Sequence, residues 1–252
     1  MCLILLAVAA SDDYPLIIAA NRDEFYGRPT QSADFWPGTG LLAGKDLLQG
    51  GSWFGVSRQG RLAMVTNVRT PAVESSARSR GHLVRDYLLS ERPAECFIAA
   101  VVEPPDRYPG FNLILGDFEC LYFASNRSTR RGVIPSGIHG LSNASLDTPW
   151  PKVERGRAEL KQLLDSGQQD LPGGLFALLQ DRTLAADVDL PETGVSLEWE
   201  RTLSARFIRS RDYGTRASTL LLVDRQRQAR FIERNYTADG SCGDERGFTL
   251  QF

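Results

Sequence analysis

Short apolar runs set in adjacent pairs across turn-forming clusters constrain this chain more than any other feature. Leu3 to Ala10 and Leu16 to Ala20 flank Ser11-Asp12-Asp13-Tyr14-Pro15, residues whose side chains bond their own backbone or fix φ. Runs of this length so bounded read as a buried antiparallel hairpin. Ser52 to Ser57 and Arg61 to Val68 repeat the arrangement about Arg58-Gln59-Gly60, with glycine where a three-residue hairpin loop needs a left-handed residue. Phe111 to Gly116 and Cys120 to Ser125 do so about Asp117-Phe118-Glu119, and Val133 to Leu141 reads as a further extended segment. Thr219 to Val223 and Ala229 to Tyr236 pair about Asp224 to Gln228, and Leu197 to Ile208 is grouped with these C-terminal strands. Residues Asn21 to Gly50 carry Gly27, Pro29, Pro37, Gly38 and Gly40, too much punctuation for a helix, and read as a surface loop over a site.

Two stretches change period. Leu83, Val84, Tyr87 and Leu88, then Phe97, Ala100 and Val101, recur at helical spacing, with Pro93 where a second helix begins. Pro151 to Asp165 places Val153, Leu160, Leu163 and Leu164 on one side and charges on the other, and Gly173 to Leu184 supplies a partner helix. The order is strands, helix pair, strands, helix pair, strands, with no Pro- or Ser-rich linker, so residues 1–252 read as one α+β domain. Hairpins demand antiparallel sheets, and two helix pairs carry enough apolar face to cover the outsides of two stacked sheets.

The balance of 29 basic against 31 acidic residues lacks the basic footprint of a nucleic-acid binder, so no nucleic-acid partner is expected. Leu3 to Ala10 could be taken for a signal peptide. It has no preceding Lys or Arg, and no run in the chain reaches the roughly 20 apolar residues that span a bilayer. A protein of the cytoplasm without a membrane span is expected. Cys2, Cys96, Cys120 and Cys242 lie far apart, which supports neither a disulfide framework nor a zinc site.

With only His82 and His139 present, imidazole chemistry has few candidates. Met1-Cys2 offers a route without histidine. Removal of Met1 would make Cys2 the N-terminus, placing an α-amine (reference pKa about 7.7–8.0) and a thiol (about 8.5) on one residue, so that base and nucleophile come together. The second strand ends in Asn21-Arg22-Asp23-Glu24, and in a hairpin that end lies beside the start of the first strand. Arg22 there could stabilise a thiolate, and Asp23 could hold the α-ammonium. Neighbours on a strand face opposite sides, so both reach the same atom only where the strand ends between them.

The Met-Cys start, Asn21-Arg22-Asp23-Glu24, Gly50-Gly51-Ser52-Trp53-Phe54-Gly55-Val56, Thr66-Asn67-Val68-Arg69 and Tyr213-Gly214-Thr215-Arg216-Ala217-Ser218-Thr219 together resemble the NRDE family, also called the transport and Golgi organisation protein 2 family. More distantly, the resemblance implies the N-terminal nucleophile hydrolase fold, a four-layer αββα sandwich of two antiparallel sheets, as in penicillin V acylase and bile salt hydrolase. It implies Cys2 as nucleophile, Arg22 and Asp23 as the activating pair, Asn67 and Asn143 near the oxyanion, and Arg216 as a late arginine. Those hydrolases space the Arg and Asp by three along the second strand, whereas here they are adjacent.

The activity so implied is an N-terminal cysteine amidohydrolase or acyltransferase acting on an amide or thioester of a small molecule, with no cofactor. The alternative is a non-catalytic carrier of haem or an apolar acyl ligand on the same scaffold, with Cys2 and the two histidines as axial-ligand candidates for haem.

Overall fold

The computed structural model describes residues 3–70, 78–103 and 106–252. In chain order its elements are β1 (Leu3–Val8), β2 (Leu16–Phe25), β3 (Thr30–Phe35), β4 (Leu41–Asp46), β5 (Phe54–Ser57), β6 (Arg61–Asn67), α1 (Gly81–Leu88), α2 (Ala94–Val102), β7 (Phe111–Asp117) and β8 (Leu121–Ser125). They continue with β9 (Gly132–Val133), β10 (Gly137–Leu141), α3 (Pro151–Asp165), α4 (Leu171–Leu179), α5 (Leu197–Leu203), β11 (Tyr213–Val223), β12 (Gln228–Tyr236) and β13 (Cys242–Gln251). The alternation of strand groups and helix groups is the one expected, except that α5 joins the second helix pair, and it makes two antiparallel sheets with helices.

These elements form two compact units. One holds residues up to Gly27, Ser136–Ser142 and Leu146–Gln251; the other holds Arg28–Pro135, Asn143–Ser145 and Phe252. The first is built on a six-stranded sheet in the order β10-β1-β2-β11-β12-β13. Leu3, Leu5 and Ala7 of β1, Ile17 and Ala19 of β2, and Leu220 and Leu222 of β11 form one core with Val153 and Leu160 of α3 and Leu175, Phe176 and Leu179 of α4. Residues alternate across a strand, so Ile4, Leu6, Ile18, Ala20 and Leu221 face the other way; they are buried as well. Burial on both faces explains why β1 and the first part of β2 are apolar without alternation.

The second unit carries the seven-stranded sheet β3-β4-β5-β6-β7-β8-β9. Ala63 and Val65 of β6 and Phe111, Leu113 and Leu115 of β7 pack with Leu83, Val84 and Tyr87 of α1 and Phe97, Ile98 and Val101 of α2. Gly60 turns the β5–β6 hairpin at φ 79°, the left-handed geometry expected of it.

Four expectations are corrected. Asn21 to Gly50 is not a loop: β2 runs on to Phe25, and β3 and β4 pair with Thr30 opposite Asp46 and Phe35 opposite Leu42. The prolines and most of the glycines lie in the connections, where they end strands rather than prevent them. Val133 to Leu141 is not one segment, since β9 belongs to one sheet and β10 to the other. Leu197 begins helix α5, whose Ser196 side chain accepts from Trp199 N at 3.3 Å, an N-cap. The helix read from Gly173 begins at Leu171 and ends at Leu179, with Asp170 capping it by accepting from Gly173 N at 2.9 Å.

Candidate functional site

The candidate residues sit where β2 meets β11. Leu3 pairs with Asn21 at the open end of the hairpin, so the backbone to which Cys2 is bonded ends beside the Asn21–Glu24 segment. Cys2 itself lies outside the described residues. On the other side of β2, Asn21 pairs with Ser218 and Asp23 with Thr215, and between them the register shifts so that Arg22 faces Ala217. Arg216 is therefore the extra residue of a β-bulge. Its insertion lets Thr215 and Ser218, three apart in sequence, share a face with Asn21 and Asp23, two apart.

Side-chain bonds follow that register. Ser218 Oγ donates to Asn21 Oδ1 at 2.6 Å, and Thr215 Oγ1 donates to Asp23 Oδ1 at 2.6 Å. Asn21 Nδ2 donates to the carbonyls of Leu179 and Arg206 at 2.9 and 2.8 Å, tying the strand to the end of α4 and to the segment after α5. Asp23 is 4% exposed, and its Oδ2 has no hydrogen-bond partner among the described residues. A buried carboxylate oxygen left open is costly and is poised for a donor.

Because β2 does not end between them, Arg22 and Asp23 face opposite sides of the sheet. Asp23 shares the face of Asn21, toward α4. Arg22, 5% exposed, shares the other with Ala20 and with Glu24, whose carboxylate lies 4.0 Å from its Nη2. Arg216 is half-buried and donates from Nη1 to the carbonyls of Phe25 and Tyr26 at 3.0 and 3.1 Å. It thereby holds the chain as it leaves β2. Two residues before it, a Cβ on Gly214 would meet the Ile208 backbone carbonyl oxygen at 2.6 Å, which explains a glycine in this stretch.

In the second unit, Asn67 ends β6 and its carbonyl accepts from Asn143 Nδ2 at 2.9 Å, while Arg69 N donates to the Asn143 carbonyl at 2.8 Å. The two asparagines expected near an oxyanion are thus together. Asn143 spends a donor on the backbone, whereas the Asn67 side chain makes no hydrogen bond to a described residue.

His82 Nε2 lies 2.6 Å from the carbonyl of Gln49 and must carry its proton there, which removes that lone pair from metal ligation. His139 Nδ1 lies 2.8 Å from Asp147 Oδ2, and Gly140 N donates to Asp147 Oδ1 at 2.9 Å. Cys242 begins the edge strand β13 and is exposed. Among the described residues no three of His, Cys, Asp and Glu cluster as a metal site, and no helix is long and apolar enough to cross a membrane.

Burial alone would raise the Asp147 carboxyl, but the His139 hydrogen bond, the Gly140 N–H and the charges of His139 and Arg157 together bring it below its usual value. A carboxyl depressed in the folded state contributes stability above its unfolded pKa and loses it as pH falls through the folded one. Asp147→Asn is expected to cost about 2 kcal/mol at pH 7 and to flatten the loss of stability below about pH 4, as read by urea unfolding at several pH values.

The family model for transport and Golgi organisation 2 matches residues 1–238. The chain belongs to this family. A transport and Golgi organization protein 2 homolog from Bos taurus is 36% identical over 241 residues, covering 88% of this chain and 87% of that protein. The Homo sapiens homolog of the same name is 34% identical over 240 residues, again covering 88% and 87%. Among solved structures, a Caenorhabditis elegans ortholog of N-acylethanolamine-hydrolyzing acid amidase matches with TM-score 0.52 at 13% identity, over 88% of this chain and 92% of that one. A conjugated bile acid hydrolase from Clostridium perfringens, in a variant whose second residue is changed from cysteine to alanine, matches with TM-score 0.51 at 7% identity, over 100% and 92%. The family member described here therefore has the N-terminal nucleophile hydrolase fold.

Sequence reasoning named Arg22, Asp23, Asn67, Asn143 and Arg216 but gave no role to Asn21, Thr215 or Ser218. All three lie in motifs quoted for the resemblance. Their pairing depends on a bulge that the sequence does not announce.

Proposed function

We propose that the protein is an N-terminal cysteine amidohydrolase or acyltransferase that takes an acyl group from an amide or thioester of a small molecule. The observation that carries this is the buried Asp23 carboxylate, with Oδ2 open, on the strand that pairs with the start of β1. Once Met1 is removed, the Cys2 thiol gives its proton to the α-amine, and Sγ bonds to the substrate carbonyl carbon. The α-ammonium returns the proton to the leaving amine or thiol as that bond breaks. Water or an acceptor amine then releases the acyl group.

Opposite-facing Arg22 and Asp23 suit two different atoms of one residue: Asp23 holds the α-ammonium and Arg22 stabilises the thiolate. The family resemblance implies Asn67 as donor to the tetrahedral oxygen, a role worth about 2.7–4 kcal/mol in other enzymes. Asn143 positions the Asn67 backbone, and Arg216 positions the end of β2. The likeness of this chain in fold to an amidase and to a conjugated bile acid hydrolase supports this reading; a cytoplasmic location is proposed with it.

Incubation of the wild type and Cys2→Ala with a panel of acyl thioesters and activated amides, followed by peptide mass mapping, tests it. An acyl adduct at Cys2 in the wild type and none in the variant is expected. Equal turnover by the two proteins would end the proposal.

A further inference from the structure

Glu233 is fully buried, at 0% exposure, in the middle of β12. Taking a carboxylate out of water costs several kcal/mol unless charge and hydrogen bonds compensate. Two of its hydrogen bonds, from Thr219 Oγ1 to Oε2 and from Asn235 Nδ2 to Oε1, are both 3.3 Å long and come from neutral groups. Neutral donors at that length offset little of the cost of a buried charge, which makes a cation its fitting counter-charge.

The register identifies the cations available. Ile232 belongs to the core against α3 and α4, so Phe231, Glu233 and Asn235 face the opposite way. Glu233 pairs with Thr219, and Asn235 with Ala217, while Ala217 pairs in turn with Arg22. Arg22 and Glu233 therefore share one face of the sheet, two strands and one residue pair apart. That is about 12 Å between Cα atoms by strand geometry, a span that an arginine and a glutamate reaching toward each other can close. Other charged or titratable groups on this face are Glu24 beside Arg22, His139 out on β10, and Arg246, directly opposite Glu233 on β13. Arg246 is about half exposed, with its Nε 2.9 Å from Asp244, which makes it the poorer counter-charge for a buried carboxylate.

We propose that Glu233 is a positioning residue for the site, the buried counter-charge that holds the Arg22 guanidinium and sets how much of its positive charge acts on the Cys2 thiol. This rests on the reading of Cys2 and Arg22 given above. Charge alone fixes the signs: removing the carboxylate leaves the Arg22 charge less offset and favours the thiolate, whereas removing the guanidinium disfavours it.

The test is the pH dependence of Cys2 alkylation by iodoacetamide in the full chain, resolved from Cys96, Cys120 and Cys242 by peptide mapping, together with urea unfolding. Glu233→Gln is expected to move the alkylation profile to lower pH, giving several-fold faster labelling at pH 6. Arg22→Gln is expected to move it to higher pH. The double variant should lie between them and lose less stability than the two singles added. Where Arg22→Gln does not fold, Arg22→Lys replaces it in the stability cycle, and the Glu233→Gln profile decides alone.

A folded Glu233→Gln protein with an unchanged profile overturns the proposal. So does Arg246→Gln in place of Arg22→Gln giving the coupling to Glu233. Failure of Cys2 to take an acyl group while the profile still shifts would refute the proposed activity and leave the Glu233 assignment standing. Acylation at Cys2 with a silent Glu233→Gln would do the reverse.

Discussion

Asn21→Leu is expected to lower the unfolding free energy by about 3–5 kcal/mol, measured by urea denaturation with the m-value unchanged. Leucine keeps the branched shape of asparagine and removes its polar atoms, so the loss comes mainly from polar groups left without partners in a dry place. The carbonyls of Leu179 and Arg206 each lose a donor, and the Ser218 hydroxyl loses its acceptor. Each unmet buried group costs about 1–3 kcal/mol. Ser218→Ala removes one partner of a single bond and is expected to cost about 1 kcal/mol. This separates the anchoring of β2 to the end of α4 from the milder strand-to-strand contact. Asn21 is thus the fixed point of the motif, and the residues beside it take their directions from the strand it anchors.

Asp23→Asn is expected to slow Cys2 acylation by about 10²–10⁴-fold with little change in unfolding free energy. The amide oxygen of asparagine can still accept from Thr215, so the strand pairing keeps its hydrogen bond. What changes is Oδ2: an acceptor able to hold an ammonium becomes an NH₂ group that repels one. Stopped-flow or quenched single-turnover acylation reads the effect directly. Thr215→Val provides the contrast, since it retains the charge of Asp23 and loses only the bond that orients it. A smaller fall, of about tenfold, is expected there.

Much of this architecture was legible in the sequence because its hairpins are local. Gly60 and the Asp224 to Gln228 turn fix their hairpins within a few residues, and Pro151 opens α3 where the apolar period begins. Helix α5 carried a readable signal in Ser196 and the acidic Glu198 and Glu200 of its first turn. β3 and β4 were obscured because Pro29, Pro37, Gly38 and Gly40 crowd their connections. β13 was missed because this edge strand, with Glu245 and Arg246 exposed, buries only Leu250 and so shows no apolar alternation.

At the site, alternation alone separates Arg22 from Asp23, and the continuation of β2 to Phe25 makes that separation real. The bulge at Arg216 depends on the pairing of β2 with β11, strands some 200 residues apart in sequence, so no local pattern could disclose it.

The central claim is that the α-amine and thiol of Cys2 act together, and this requires Met1 to be gone. Intact-mass analysis of the acylated protein, with N-terminal peptide mapping, tests it most directly. Every acylated chain should be lighter by one methionine residue and carry its acyl group on Cys2, while chains that retain Met1 remain unmodified. Acylation of Cys2 at the same rate in chains that keep Met1 would contradict the account.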